Sequence, residues 1–115
     1  MEIKRKHGRI TFLADAQVHS PRQGISFEGS ITTLGRQGLG MFSQGFLENN
    51  APVEILVTFK DSKGTLHKER VRGRVTGVKI GVDGNTFGVE FNEKINQDQN
   101  PALYQYLYQA PTRIS

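Results

Sequence analysis

Residues 53–59 read Val-Glu-Ile-Leu-Val-Thr-Phe, the clearest strand signal in the chain, because apolar side chains occupy every second position. The loop at 61–64 follows, and residues 66–80 resume strand-like patterning, which predicts a long β-hairpin. Gly73 and Gly77 in the returning strand indicate a bulge or a sharp coil at that point.

Further strand patterns lie on both sides of this hairpin. Each is bounded by glycine, proline or asparagine, and an Asp-Gly dipeptide at 83–84 is a strong hairpin-turn signal. They occupy residues 10–18, 25–31, 39–42 and 87–91. The pattern predicts about six antiparallel strands, which favours a small β-barrel.

The end of the chain changes to a helical period. Asn100 is a suitable N-cap and Pro101 suits the first helical position. An apolar stripe follows at Leu103, Tyr106, Leu107 and Ala110. We therefore predict a mostly β fold in which a C-terminal helix at 100–110 covers an open end or edge of the barrel.

The 115 residues suffice for one domain, which we assign to 1–115, with a flexible N-terminal segment at 1–9 and the barrel at 10–92. The sequence has no cysteine, no apolar run of membrane-spanning length and no secretory signal. We expect a cytoplasmic protein without a membrane span.

Positive charge is concentrated at the start of the chain. Of the net charge of +4, residues 1–9 contribute +3 and all the others only +1. A binder of duplex DNA usually spreads cations over a whole face. The distribution therefore favours a small anionic ligand and argues against specific DNA or RNA binding.

Enzyme signals are poor. His7, His19 and His67 are far apart and show no metal-ligand spacing. The serines lack a nucleophile-elbow setting, and an acidic residue such as Glu54 alternates with apolar neighbours, as expected on the solvent side of a strand. We predict a protein that is not an enzyme, with no catalytic residue, metal or cofactor.

Two arginines are the first candidates for a binding site. Arg5 and Arg9 stand four apart just before the first strand, and a guanidinium matches both phosphate and the acceptor edge of guanine. The alternative is a solvated basic tail. The glycine-rich residues 33–40 are equally open to two interpretations, because glycine permits close ligand approach but also occurs in tight hairpins.

The tyrosines Tyr104, Tyr106 and Tyr108 are a third candidate, since aromatic side chains can stack on single-stranded nucleic acid bases. Their helical spacing favours core packing by Tyr106 and contact on the helix surface by the other two.

Taken together, the order of these features resembles the PilZ domain family. Its first motif, Arg-x-x-x-Arg, is complete at residues 5–9, with Lys4 as a further basic residue. Its second motif, Asp/Asn-x-Ser-x-x-Gly, falls on residues 33–38. The stretches 73–75 and 87–91 and the terminal helix resemble the family's closing elements.

The resemblance implies binding of cyclic diguanylate (c-di-GMP), with Arg5, Arg9 and Gly38 as the main ligand-binding residues. Thr33 and Gly35 depart from the second motif, and only Gly38 matches it. Loss of two polar contacts at about 1–2 kcal/mol each predicts binding weakened by roughly 30- to 1,000-fold. Lys4, Thr33, Gly35 and Arg36 are secondary candidates, and Arg36 could offset part of the loss.

We therefore expect a bacterial c-di-GMP receptor or adaptor that changes conformation on ligand binding. It would signal to an effector protein, as yet unidentified, in motility, biofilm or related regulation. The alternative is a PilZ-type protein-interaction module that no longer binds the nucleotide and serves pilus or motility machinery. The substitutions at Thr33 and Gly35 favour that alternative, and the intact arginine pair argues against it.

Overall fold

The computed structural model describes residues 9–109, which form six antiparallel strands and one helix. The sheet closes into a barrel with the strand order β1-β2-β3-β6-β5-β4, which confirms the predicted fold class. The elements are β1 (Ile10–Ser20), β2 (Ile25–Leu34), β3 (Gly38–Ser43), β4 (Pro52–Lys60), β5 (Leu66–Ile80), β6 (Asn85–Phe91) and α1 (Pro101–Gln109).

Alternation along the strands separates the barrel interior from the solvent. On β4 the side chains of Val53, Ile55, Val57 and Phe59 are buried, as the sequence pattern predicts. Every strand contributes inward apolar side chains in the same way, and together they fill the barrel. Burial of these side chains is the main stabilising contribution to such a fold.

Three irregularities interrupt the ladder. The register shifts between Thr11 and Ala14 on β1, between Ile31 and Thr33 on β2, and between Val75 and Gly77 on β5. The last of these confirms the bulge predicted from the glycines of β5. A bulge re-aims the side chains that follow it, so it determines which residues of β5 and β6 face each other outside the barrel.

Helix α1 covers one end of the barrel, as predicted. Leu103 and Leu107 are buried, and the Tyr106 ring meets the Phe12 and Phe59 rings edge-on at centroid distances of 4.7 and 6.0 Å. Phe12 lies near the start of β1 and Phe59 near the end of β4. The helix therefore closes the end of the barrel at which β1 begins.

The N-terminus of α1 is capped by a residue from a different element. Glu69 of β5 accepts hydrogen bonds from the backbone N–H groups of Ala102 and Leu103, at 2.8 and 3.0 Å. Asn100 precedes the helix as predicted, and its carbonyl accepts from Tyr104 N–H, but its side-chain amide donates to the carbonyl of Arg70. Asn100 therefore occupies the N-cap position as predicted, while the side-chain acceptor of the first helix N–H groups is Glu69 of the barrel rather than Asn100 itself.

Substitution Glu69→Ala should lower the free energy of unfolding by about 1–2 kcal/mol, since two helix N–H groups lose a charged acceptor. Urea unfolding followed by circular dichroism measures the change. Glu93→Ala, at an exposed acidic residue in the loop after β6, is the matched control. Equal midpoints for the two variants would contradict the capping role.

Within residues 9–109 no helix has the length and apolar character required to cross a membrane.

Candidate functional site

The start of β1 lies beside the glycine-rich hairpin between β2 and β3. Thr11 pairs with Thr33, and Thr33 pairs in turn with Gly40. Arg9, which directly precedes β1, is therefore held next to the second sequence motif by the barrel ladder itself. Two segments separated by two dozen residues thus meet on the outer face of the barrel.

The guanidinium of Arg9 lies over the backbone of β3. A Cβ atom built on Gly38 would lie 3.2 Å from Nη2 of Arg9, and one built on Gly40 would lie 3.5 Å from Nη1. Both positions must therefore stay free of larger side chains for Arg9 to adopt this arrangement. The Arg9 side chain itself is exposed to solvent.

A second close contact also requires glycine at position 38. A Cβ atom there would lie well inside van der Waals contact with the carbonyl oxygen of Val89 on the neighbouring strand β6. The structure therefore gives Gly38 a packing role between β3 and β6. Its role in ligand binding stays a prediction.

Thr33 occupies the opposite side of the same small surface. A Cβ atom on Gly40 would lie only 2.7 Å from Thr33 Oγ1, so the hydroxyl covers Gly40. Thr33, Gly38 and Arg9 are thus brought together, with Gly40 between them. A single hydroxyl is what Thr33 offers to a ligand, where the PilZ motif has a carboxylate or an amide.

A row of glycines extends this surface across the barrel. Gly40 pairs with Gly88 on β6, and Gly88 pairs with Gly77 on β5. A Cβ atom on Gly88 would have its nearest neighbour at 3.5 Å, and one on Gly77 would have none within 4 Å. We call Gly40, Gly88 and Gly77 the glycine row. It presents backbone without side chains beside the Arg9 guanidinium, covered by the Thr33 hydroxyl at Gly40 and open at Gly88 and Gly77.

Such a surface suits a planar anionic ligand. Bare backbone allows close approach of an aromatic base, and a guanidinium can form paired hydrogen bonds with a phosphate or with the O6/N7 edge of guanine. Sequence reasoning singled out Gly38 but missed Gly88 and Gly77 as neighbours of this site. Their adjacency depends on the register across β3, β6 and β5, which the bulge in β5 determines.

The loop between β2 and β3 holds the remaining candidates. Gly35 is buried, and its N–H donates to the carbonyl of Gly38 at 2.8 Å, which closes the loop. The Arg36 guanidinium lies over the ring of Tyr108 on α1, with Cζ at 5.8 Å from the ring centroid. Tyr108 also packs on Tyr104, with the ring centroids 4.5 Å apart.

This cation–π contact was not foreseen from the sequence, because it joins residues 72 positions apart. At an exposed site it is worth about 0.5–1 kcal/mol. That is small enough for a stronger anionic partner to draw Arg36 away from Tyr108. Arg36 therefore stays a candidate ligand-binding residue, and it also connects the motif loop to the helix.

Lys4 and Arg5, the other predicted ligand-binding residues, lie outside the described residues.

The candidate site lies on the outside of a small, closed antiparallel β-barrel. A family model described as the PilZ domain matches residues 3–109, and the chain belongs to this family. The resemblance found in the sequence is confirmed. PilZ domains form a family of c-di-GMP receptors and act as regulatory receptors or adaptors rather than as enzymes.

The solved structures that are similar to the chain include the following two. The first is the Bacillus subtilis inhibitor of motility (MotI/DgrA), with a TM-score of 0.72 and 12% sequence identity; the alignment covers 91% of this chain and 50% of that one. The second is the PilZ domain of CeSA from a cellulose-synthesizing bacterium, with a TM-score of 0.62 and 15% identity, covering 90% and 97%.

At these identities the similarity shows the fold alone, and the chain spans about half the length of MotI/DgrA. No significant match to a curated protein was found.

Substitution Gly38→Ala should destabilise the fold by about 1–3 kcal/mol, because the added methyl group meets the backbone of Val89 and overpacking of this kind is not easily relaxed. Thermal or urea unfolding measures the loss. Gly77→Ala is the matched control, since its Cβ would project into open space. If both variants unfold alike, the close approach of β3 and β6 does not explain Gly38.

Proposed function

We propose that this protein is a c-di-GMP receptor that signals to an effector protein. The observation that carries the proposal is the position of Arg9, whose guanidinium lies over Gly38 and Gly40 and beside Thr33. The last residue of the family's first motif thus meets the second motif at the backbone of Gly38 and Gly40.

The Arg9 guanidinium would bind the phosphates of the ligand or the O6/N7 edge of one guanine. The plane of the ligand's other guanine would stack against the same guanidinium. Arg5 would supply a second guanidinium of the same kind. The glycine row would receive a base against the backbone. We expect residues 1–9 to close over the bound ligand, so part of the contact energy is lost to ordering.

The proposed affinity is reduced by the second motif. Thr33 offers one hydroxyl and Gly35 no side chain, where other members of the family contact guanine with two polar side chains. Arg36 can restore one charged contact, and leaving Tyr108 would cost it only about 0.5–1 kcal/mol. We therefore expect binding weaker than that of a domain with both motifs complete, but still measurable.

Arg36 also offers a route from ligand to partner. When it turns toward the ligand, the Tyr108 ring on α1 is uncovered, and the surface around the helix changes. The printed description of MotI/DgrA as an inhibitor of motility makes control of motility one process in which this chain could act. The CeSA domain similarly points to a cellulose-synthesizing context.

A second candidate function is protein interaction without nucleotide binding. The observation that favours it is the loop itself: two motif positions lack their ligand-binding side chains, and Arg36 already has a partner in Tyr108. In that case the same effector would be bound with and without c-di-GMP.

Isothermal titration calorimetry with c-di-GMP tests the proposal. We expect a saturable heat for the wild-type chain and its loss in Arg9→Ala and Arg5→Ala, because each variant removes a guanidinium from the ligand. Arg22→Ala, an exposed arginine in the turn between β1 and β2, is the matched control and should bind like the wild type.

Absence of binding heat at a ligand concentration of about 0.5 mM would overturn the receptor proposal. Protein interaction without nucleotide binding would then be the remaining candidate function. Equal loss in Arg22→Ala would show that only total charge matters. That result would also contradict the proposed site.

A further inference from the structure

Four cations lie in a line on the outside of β5, in the part of the strand that precedes the bulge before Gly77. They are Lys68, Arg70, Arg72 and Arg74, all exposed, and they alternate with positions that face inward or toward α1. We call these four residues the β5 ridge. Residues two apart on a strand are about 6.6–6.8 Å apart, so the ridge extends over about 20 Å.

The ridge is held by carboxylates of the neighbouring strands. Glu54 on β4 accepts from Arg72 Nε at 2.7 Å and lies 3.9 Å from Arg70 Nη1. Glu90 on β6 lies 4.0 Å from Arg74 Nη2. The three arginine side chains remain 53–65% exposed, so they are positioned by these contacts and still open to solvent.

The ridge stands between two hollows in the barrel surface. One, of about 430 Å³, is lined by residues of β1, β2 and β4 together with Arg70, and includes Leu56, His19 and Glu28. The other, of about 310 Å³, is lined by Arg70, Arg72 and the segment after β6. A partner protein bound to the ridge can therefore place its own side chains in a concave surface on either side of it.

We propose that the β5 ridge is a docking surface for an acidic segment of a partner protein. Arginine is enriched at protein interfaces and forms paired hydrogen bonds with carboxylates that lysine does not copy. Carboxylates two apart on an extended segment, or four apart on a helix, match the spacing of the ridge cations.

The carboxylates within the ridge favour a protein over a nucleic acid. Glu54 and Glu90 lie among the four cations and reduce the local net positive charge. Binding of a phosphate backbone depends on neutralisation of its charges by lysine and arginine, which these two carboxylates oppose. A protein surface of mixed charge can place an acidic group against each arginine and a donor against each glutamate.

Glu54 plays a specific part in this arrangement. The hydrogen bond from Arg72 lowers the pKa of its carboxyl below the ordinary value, and the charges of Arg72 and Arg70 act in the same direction. Glu54 is therefore ionised at neutral pH and competes with an incoming carboxylate for the same two guanidinium groups. Its removal should strengthen binding of an acidic partner.

The ridge shares no residue with the site around Arg9, so docking on it is a function separate from nucleotide binding. The chain beyond residue 9 is nearly neutral overall, but four of its cations share the outer face of β5.

Titration of the ¹⁵N-labelled chain with soluble poly-L-glutamate, followed by NMR, tests the proposal. We expect the shifts to map to residues 68–74 and to the two hollows. Arg70→Gln and Arg72→Gln should each weaken binding by about two- to fivefold, as expected for exposed charge pairs. Lys79→Gln, an exposed cation of β5 beyond the ridge, is the matched control and should have little effect.

Glu54→Gln gives the decisive comparison, because it should strengthen binding of the same peptide by a similar factor. If Glu54→Gln weakens binding as Arg72→Gln does, the Glu54–Arg72 ion pair acts only by maintaining local structure, and the proposal is wrong. An equal effect of Lys79→Gln would also overturn it, as would tighter binding of single-stranded oligothymidine to the ridge. Titration of these variants with c-di-GMP keeps the two proposals separate, since ridge variants should retain the wild-type response.

Discussion

Closure of the sheet by β1 is the constraint on which the rest of the structure depends. β1 pairs with β2 on one side and with β4 on the other, so Ala16 stands opposite both Gly29 and Val57. A sheet closed in this way has no exposed edge at which another chain could pair. It also determines where Arg9, which directly precedes β1, leaves the barrel.

That exit point accounts for the candidate site. Because Ile10 pairs with Leu34, the residue before β1 is placed against the hairpin of β2 and β3. Arg9 can then lie over β3, because Gly38 and Gly40 carry no side chains. The same end of the barrel is covered by α1, which brings Tyr108 within reach of Arg36. The candidate site, the motif loop and the helix are therefore neighbours as a consequence of one strand pairing.

Much of the fold was predictable from the sequence because it depends on local pattern. The alternation in β4, the turn signals and the helical stripe of α1 are read from residues close together in the chain. Arg9 and Gly38 were predicted as site residues through the family's motifs, and the structure brings them together. The roles of Arg5 and Lys4 stay predictions.

The remainder depends on contacts between distant residues. Glu69 caps α1 in place of the Asn100 side chain because a carboxylate on β5 reaches the helix terminus. The pairing of Gly88 with Gly77 depends on a bulge in β5 whose position the glycines only indicate, and its pairing with Gly40 depends on the register between β3 and β6. Neither of these follows from composition or from spacing.

The central claim is that Arg9 and the bare backbone beside it form one ligand surface. A crystal structure of the chain with c-di-GMP tests it most directly. The account predicts the ligand on the outer face of the barrel, with the Arg9 guanidinium on a phosphate or a guanine edge and a base against Gly88 and Gly77. A ligand bound elsewhere on the barrel, with Arg9 out of contact, would contradict it.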